Sequence, residues 1–474
     1  MHDSHRPGAE SASDRRYGPA GNPFVGKPRK IAPFVLPQSP GLGAPHGALV
    51  EYAAEKAASL NQHVIGYGEL AEREWADRGL DAPDMERARR YRLGRIRVEL
   101  ARRDLVGVIV SDPLNVRYAT DATNMQVWCT HNAVRYAFVA TQGPVILWDF
   151  HNCEHLSHHL DVVDEVRHGT AWSYFEAGGR ARERARLWAA EIADVVRTYG
   201  GDNRRLAFDR INPDGVEALT AQGVELHSGE EVMELARSVK SQDELKAMRR
   251  SIGACEAAMG VMEGALRPGM TENDLWAILH AENIRRGGEW IETRLLASGP
   301  RTNPWFQESS ARVISDGDLV AFDTDLIGPY GYCCDISRAW LAGSGTPTAE
   351  QRTLYAMAAE QVDANTALLR PGLTFSELSR SANGLPADYL PNRYPVPFHG
   401  IGLCDEYPVV PYPEDYARTG YDGVLEAGMV VCVESYVGRH GGDEGVKLEE
   451  QVLITETGHE RLSRYHRDRR LASG

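Results

Sequence analysis

The C-terminal half of the chain carries six potential metal ligands, most of them beside apolar segments. They are five carboxylates and one imidazole: Asp323, Asp325, Asp335, His399, Glu434 and Glu449. So many charged groups cannot gather in one pocket without metal. Oxygen ligands with a single nitrogen suit a pair of ions such as Mn, Fe or Zn, and not a thiolate zinc site. The sequence therefore predicts a dinuclear catalytic centre in this half of the chain.

The first two acids directly follow an apolar segment. Residues 319–322 are Leu, Val, Ala and Phe, and Asp323 and Asp325 come next. Because alternate residues of a strand point to the same face, both side chains can converge on one site. The alternative is a solvated turn ahead of Gly328, where aspartate is common. This pair alone does not separate the two interpretations.

The later ligands are harder to explain as surface residues. Glu434 ends the apolar run 425–433, and Glu449 lies inside the next predicted strand. A carboxylate in either place is costly unless it is paired or binds metal. His399 precedes Gly400 and Gly402, where low backbone crowding lets a metal approach.

Length and local patterns predict a two-domain protein of the α/β (α+β) class with an N-terminal extension. A chain of 474 residues is too long for one small core. Residues 1–45, rich in Gly, Pro and Ser with short apolar patches, predict an extended arm. Residues 46–239 mix helical spacing with apolar strands, including a hairpin over 136–148, and form the first domain. Residues 240–474 form the second, which opens with a helix capped by Ser241 and Glu244.

Charge and composition exclude several classes of protein. A net charge of -15 argues against a nucleic-acid surface, which needs a basic stripe. No apolar run approaches the roughly 20 residues that span a bilayer. The N-terminus lacks the apolar core of a signal peptide, and the seven cysteines are odd in number and scattered. We therefore expect a cytoplasmic protein with reduced thiols and no nucleic-acid or membrane partner.

The order of the ligands resembles the creatinase, prolidase and methionine aminopeptidase superfamily. The similar segments are residues 298–299, 316–318, 332–338, 399–403, 425–429 and 445–449. This resemblance implies a C-terminal catalytic domain with the pita-bread fold. A weaker likeness over residues 107–110 and 115–118 implies a creatinase-like N-terminal domain. The resemblance also implies that the protein is a homodimer.

Three departures separate the chain from the peptidases of that superfamily. Asn303 stands near the place of one histidine, and an acid, Asp405, replaces a second. Ser435 follows the first glutamate ligand where the peptidases have proline. The two histidines act on the peptide in those enzymes, so their loss weakens a peptidase interpretation. The combination resembles the dimethylsulfoniopropionate lyases of the DddP type, a non-peptidase branch.

That resemblance implies a β-elimination that yields dimethyl sulfide and acrylate at a centre of two metal ions per chain. Iron is the implied metal, although the ligands alone would accept Mn or Zn. Asp405 is the implied general base, with the adjacent Glu406 as the alternative. A sulfonium cation favours aromatic faces. The candidates beside the motif residues are Tyr394, Trp305, Phe306 and Tyr407.

Two other functions remain open at this point. The first is an Xaa-Pro dipeptidase or aminopeptidase with the same fold and metals. The second is a non-catalytic binding protein that has kept the fold, which predicts loss of metal ligands. All six proposed ligands are present, so this second alternative ranks last.

Overall fold

The computed structural model describes residues 30–31, 65–150, 153–157 and 159–472. The predicted arm over residues 1–45 lies outside these ranges except for the two residues of the first strand. The helices are α1 (Glu69–Asp77), α2 (Met85–Arg102), α3 (Pro113–Thr120), α4 (Gln126–His131), α5 (Tyr174–Ala177), α6 (Ala181–Gly200), α7 (Pro213–Ala221), α8 (Glu230–Ser238), α9 (Gln242–Ala265), α10 (Glu272–Arg285), α11 (Ala349–Leu368), α12 (Phe375–Ser381), α13 (Pro413–Thr419) and α14 (Arg469–Ala472). The strands are β1 (Lys30–Ile31), β2 (Gly107–Val110), β3 (Tyr136–Ala140), β4 (Val145–Asp149), β5 (Glu165–His168), β6 (Arg205–Phe208), β7 (Glu225–Ser228), β8 (Leu296–Ser298), β9 (Leu319–Phe322), β10 (Leu326–Ile327), β11 (Cys333–Cys334), β12 (Arg338–Leu341), β13 (Phe398–Ile401), β14 (Asp405–Val410), β15 (Val430–Gly438), β16 (Gly445–Ile454) and β17 (His459–Arg461).

The first of two units contains residues 84–237 and β1. Its strands form one mixed sheet in the order β1-β5-β4-β3-β2-β6-β7. β3 runs antiparallel to both of its neighbours, whereas the other pairs are parallel. The antiparallel pair β3–β4 confirms the predicted hairpin. Trp188, Ile192 and Val196 recur at helical spacing on α6 and pack into the core of this sheet.

The second unit contains residues 238–474 together with residues 66–83. Residues 66–83 were predicted to belong to the first domain, but in the structure they fold with the second unit. The reason is that the apolar face of α1 packs against α9 of the second unit. Trp75 on α1 is buried, and its indole Nε1 donates to the carbonyl oxygen of Arg250 on α9 at 2.9 Å. The Arg250 guanidinium also lies 4.5 Å from the centre of the Trp75 ring.

The strand pairs of the second unit are antiparallel. β12-β9-β8 make one sheet and β14-β13-β15-β16-β17 make another. The helix α11 packs against β15 and β16 through buried residues such as Leu354 and Val362. The predicted capping box of Ser241 and Glu244 is present at the start of α9. None of the helices in the described ranges has the length and hydropathy that crossing a bilayer requires.

Candidate active site

Strand pairing brings the predicted ligands together. Glu434 on β15 lies directly opposite Glu449 on β16, and His399 on β13 lies opposite Cys432 on β15. Cys432 and Glu434 are two residues apart on one strand and so share a face. His399, Glu434 and Glu449 therefore point to the same side of the five-stranded sheet.

The aspartates reach the same place from the neighbouring sheet. Asp323 and Asp325 follow the end of β9, and Asp335 lies between β11 and β12. All six predicted ligands have relative exposures of 9% or less, which excludes a solvated turn for Asp323 and Asp325. Their ligand atoms, together with Sγ of Cys432, form three overlapping groups, each with all atoms within 4.8 Å of one another. The groups are Asp335, His399, Cys432 and Glu449; Asp323, Glu434 and Glu449; and Asp323, Asp325 and Asp335.

Several of these oxygens have no hydrogen-bond partner among the described residues. They are Oδ1 of Asp335, Oε1 of Glu434 and Oε1 of Glu449. An unpartnered buried carboxylate oxygen is costly, and a bound cation removes that cost. The Nε2 atom of His399 lies 3.4 Å from Oε1 of Glu434 and 3.7 Å from Oε1 of Glu449. The donor set of carboxylates and one imidazole thus fits a pair of metal ions.

A buried lysine that was not among the predicted site residues is part of this cluster. Lys447 on β16 places its Nζ 2.9 Å from Oδ2 of Asp323 and 2.6 Å from Oε2 of Glu434. The sequence does indicate a buried lysine here, because Lys447 stands between Val446 and Leu448 and two residues before Glu449. In a strand this spacing puts the lysine and Glu449 on one face.

Burial and mutual repulsion shift the ionisation of the acids in the protein without metal. Burial and the neighbouring Asp323 raise the pKa of Asp325 to about 8. Burial also raises the pKa values of Asp335 and Glu449 well above their ordinary range. The pKa of His399 is lowered by burial but raised more by Asp405 and Glu434, to about 10. Several ligands therefore hold protons near neutral pH when no cation is bound.

Metal loading is consequently expected to release protons. A ligand must lose its proton to bind a metal, and with pKa values of about 8 and about 10, Asp325 and His399 are largely protonated at pH 7. The affinity of the cluster for metal ions should therefore rise as the pH increases from 6 to 8. Titration calorimetry with Mn²⁺ at pH 7, in buffers of different ionisation enthalpy, measures the number of protons released. A binding enthalpy that is the same in every buffer would contradict this prediction.

The two candidate bases point in different directions. Asp405 begins β14, its side chain is 60% exposed, and its Oδ1 lies 3.6 Å from Nδ1 of His399. Glu406, the next residue along the strand, is buried and forms an ion pair with the buried Lys240. Adjacent strand residues face opposite sides, so only Asp405 borders the ligand cluster. The surrounding protein and Glu434 raise the pKa of Asp405, although His399 opposes them.

Three of the four predicted aromatic residues lie beside the cluster. The ring of Tyr394 is centred 4.5 Å from Nζ of Lys447, and the ring of Trp305 is centred 6.0 Å from it. Phe306 contacts both rings, with centroids 5.5 Å from Tyr394 and 6.5 Å from Trp305. Trp305 is buried, whereas Phe306 is 54% exposed. The three rings form a wall that runs from the lysine to the surface.

Tyr407 is placed elsewhere. Its ring stacks on Tyr421 at 5.8 Å and meets the edge of Phe375 at 5.7 Å. The contact with Phe375 joins Tyr407 to the core beneath the sheet, and neither contact belongs to the ligand cluster. Its nearness to Asp405 in sequence did not determine which neighbours its side chain packs against.

Comparison with known families agrees with this arrangement of the chain. Residues 246–456 match Metallopeptidase family M24, and residues 92–239 match the Creatinase/Prolidase N-terminal domain. Among solved structures, an Xaa-Pro dipeptidase from Bacillus anthracis superposes with a TM-score of 0.64 at 21% identity, covering 80% of this chain and 98% of that one. The prolidase from Pyrococcus horikoshii gives 0.65 at 21% identity, covering 79% and 99%. These likenesses confirm the predicted pita-bread fold.

Two curated relatives are more similar in sequence. The chain is 47% identical over 412 residues to the dimethylsulfoniopropionate lyase DddP of Roseovarius nubinhibens, which covers 85% of this chain and 92% of that protein. It is 46% identical over 413 residues to the lyase of the same name from Roseobacter denitrificans, covering 86% and 92%. With nearly the full length of both relatives matched, the chain belongs to the DddP family within the pita-bread metallopeptidase superfamily.

Proposed function

We infer that this protein is a metal-dependent lyase that cleaves dimethylsulfoniopropionate to dimethyl sulfide and acrylate. The observation that carries this inference is the similarity to two such lyases along nearly their whole length. The buried ligand cluster supports the metal dependence. When bound, the metal ions supply Lewis acidity that stabilises negative charge developing on the substrate.

We propose Asp405 as the general base of the β-elimination. The base takes the proton from the carbon next to the substrate carboxylate, and the electron pair of that bond forms the carbon–carbon double bond. The carbon–sulfur bond breaks, and its electron pair leaves with neutral dimethyl sulfide. Asp405 is suited to this step because it borders the cluster yet remains 60% exposed, so it can return the proton to water.

We propose that the aromatic wall receives the sulfonium group. A sulfonium carries positive charge but no hydrogen-bond donor, so an aromatic face is its natural partner. The ammonium of Lys447 already lies over the Tyr394 ring. A second cation is therefore expected on the other side of Tyr394 or against the exposed Phe306. Tyr407, which packs under the sheet, is not part of this proposal.

Removing the aromatic face of Tyr394 should weaken substrate use more than removing its hydroxyl. Tyr394→Leu is expected to lower kcat/KM by roughly 5- to 30-fold, because a desolvated cation–π contact contributes about 1–2 kcal/mol. Tyr394→Phe keeps the ring and should lose much less. Initial rates of dimethyl sulfide release across a range of substrate concentrations measure both variants. An equal loss in the two would show that the hydroxyl, and not the ring face, matters.

The peptidase alternative is weakened by the position that lacks its histidine. The side-chain amide of Asn303 donates to the carbonyl oxygens of Arg439 at 2.8 Å and Gly442 at 2.9 Å. Its Oδ1 accepts hydrogen bonds from Tyr436 and Asn392. Asn303 therefore holds loops together and has no free group to offer a peptide. Iron as the metal, a homodimer and a cytoplasmic location remain predictions.

Headspace gas chromatography of purified protein with quantified metal tests the proposed function. We expect dimethyl sulfide from dimethylsulfoniopropionate, loss of the signal with a chelator, and recovery after divalent metal is restored. Proline dipeptides should remain intact under the same conditions. Dipeptide hydrolysis without dimethyl sulfide, from fully metallated protein, would reject the lyase and favour the peptidase.

A further inference from the structure

Lys447 is enclosed by the acids that are proposed to hold metal. Its side chain is fully buried, and its Nζ contacts three carboxylates: Asp323 at 2.9 Å, Glu434 at 2.6 Å and Glu449 at 3.2 Å. It also donates to Oγ of Ser337 at 2.6 Å. A lysine is rarely buried unless its charge is compensated. Among the described residues, the compensation comes entirely from proposed metal ligands, so the lysine and the metals share the same negative charges.

The two oxygens of each glutamate are divided between different neighbours. Lys447 contacts Oε2 of Glu434 and Oε2 of Glu449, whereas both Oε1 atoms lack hydrogen-bond partners among the described residues. Those Oε1 atoms face Nε2 of His399. Lys447 therefore holds the Oε2 atom of each glutamate. The Oε1 atom of each glutamate stays directed at the other ligands. A partner that orients a ligand in this way tunes the affinity of the metal site.

The net charge of the cluster is a second consequence of this arrangement. The five carboxylates of the cluster carry five negative charges when ionised, and His399 binds metal as a neutral ligand. Two divalent ions supply four positive charges, and the ammonium of Lys447 supplies the fifth. The six protein ligands, the two ions and Lys447 are then neutral as a group. A mixed pair of one divalent and one trivalent ion would leave an extra positive charge in a buried site, which is costly.

We propose that Lys447 is a positioning residue whose fixed positive charge sets this centre to hold two divalent ions and disfavours a trivalent one. The proposal rests on the metal site inferred above and deepens it, since it concerns which oxidation state the centre retains. It assigns Lys447 no contact with the reacting atoms.

The test compares Lys447→Gln with Lys447→Arg. Glutamine keeps N–H donors for the carboxylate oxygens but removes the charge, whereas arginine keeps the charge. We expect Lys447→Gln to release Mn²⁺ to a chelator roughly tenfold more slowly than wild type, because the repulsion between the ammonium and the ions is lost. Loaded with iron, it should have a lower Fe(III)/Fe(II) midpoint potential, because the trivalent state is then better balanced. Lys447→Arg should restore both properties towards wild type.

Two results would overturn the proposal. The first is a folded Lys447→Gln protein with the wild-type chelation rate and midpoint potential. The second is a wild-type protein that binds one Mn²⁺ per chain at saturation, since Lys447 would then take the place of the second ion. The second result decides the matter even if the glutamine variant does not fold. Because no readout uses turnover, failure of the lyase assay and failure of this proposal are distinguishable.

Discussion

Asp405→Asn is expected to reduce the turnover of dimethylsulfoniopropionate by roughly 10²- to 10⁴-fold, the usual contribution of a general base. The amide is the same size as the carboxylate but cannot accept the substrate proton. The side chain is largely exposed, so the substitution should leave the fold and the ligand cluster intact. The measurements are kcat from dimethyl sulfide release and metal content per chain, and only kcat should fall.

Two further variants make this experiment specific. Asp422→Asn applies the same chemical change to an exposed acid and should retain wild-type turnover. Glu406→Gln tests the alternative base: it removes the partner of buried Lys240, and breaking such a pair costs about 3–5 kcal/mol. We therefore expect a lower melting temperature from Glu406→Gln. Loss of turnover in Glu406→Gln at normal stability, with Asp405→Asn still active, would show that the base is assigned to the wrong residue.

Glu449→Gln is expected to remove both metal and activity. Glu449 belongs to two of the three overlapping ligand groups, so its loss affects both parts of the cluster. The substitution also places an amide N–H₂ among Lys447, Ser337 and the metal ligands, where the carboxylate accepted hydrogen bonds. The loss of turnover should exceed the roughly 10- to 100-fold that removing an outer partner of a metal ligand costs.

Metal analysis alongside turnover measures this effect, and excess Mn²⁺ should restore activity only in part. Glu456→Gln, an equivalent change at an exposed residue of a turn, is the matched control and should behave as wild type. A Glu449→Gln protein that keeps two ions per chain and full turnover would remove Glu449 from the ligand set.

Most of the candidate site could be predicted from the sequence because the proposed ligands follow local rules. An acid next to or inside an apolar strand is unusual enough to be noticed alone, and Asp323, Glu434 and Glu449 all occur in such places. The capping box of Ser241 and Glu244 likewise depends only on residues three apart. Each of these rules depends only on residues that lie close together in the sequence, within or beside one element of secondary structure.

The features that were missed depend on partners distant in sequence. Tyr407 is near Asp405 along the chain, but Phe375 and Tyr421 determine where its ring packs. The charge of Lys447 is compensated in part by Asp323, more than a hundred residues earlier. Lys447 was nevertheless detectable, since a lysine between apolar residues of a predicted strand is either an edge residue or a buried charge.

The helix α1 has a consequence for how the protein is made. It belongs to the second unit, yet the chain must complete residues 84–237 before the partner helix α9 exists. Synthesis adds roughly 5–20 residues per second, so Trp75 is made on the order of ten seconds before Arg250, its partner on α9. The unit that carries the ligand cluster thus cannot finish folding on the ribosome until its first and last parts meet. A gene fragment that starts at Ser238 would encode every proposed ligand but leave Arg250 without the ring that covers it.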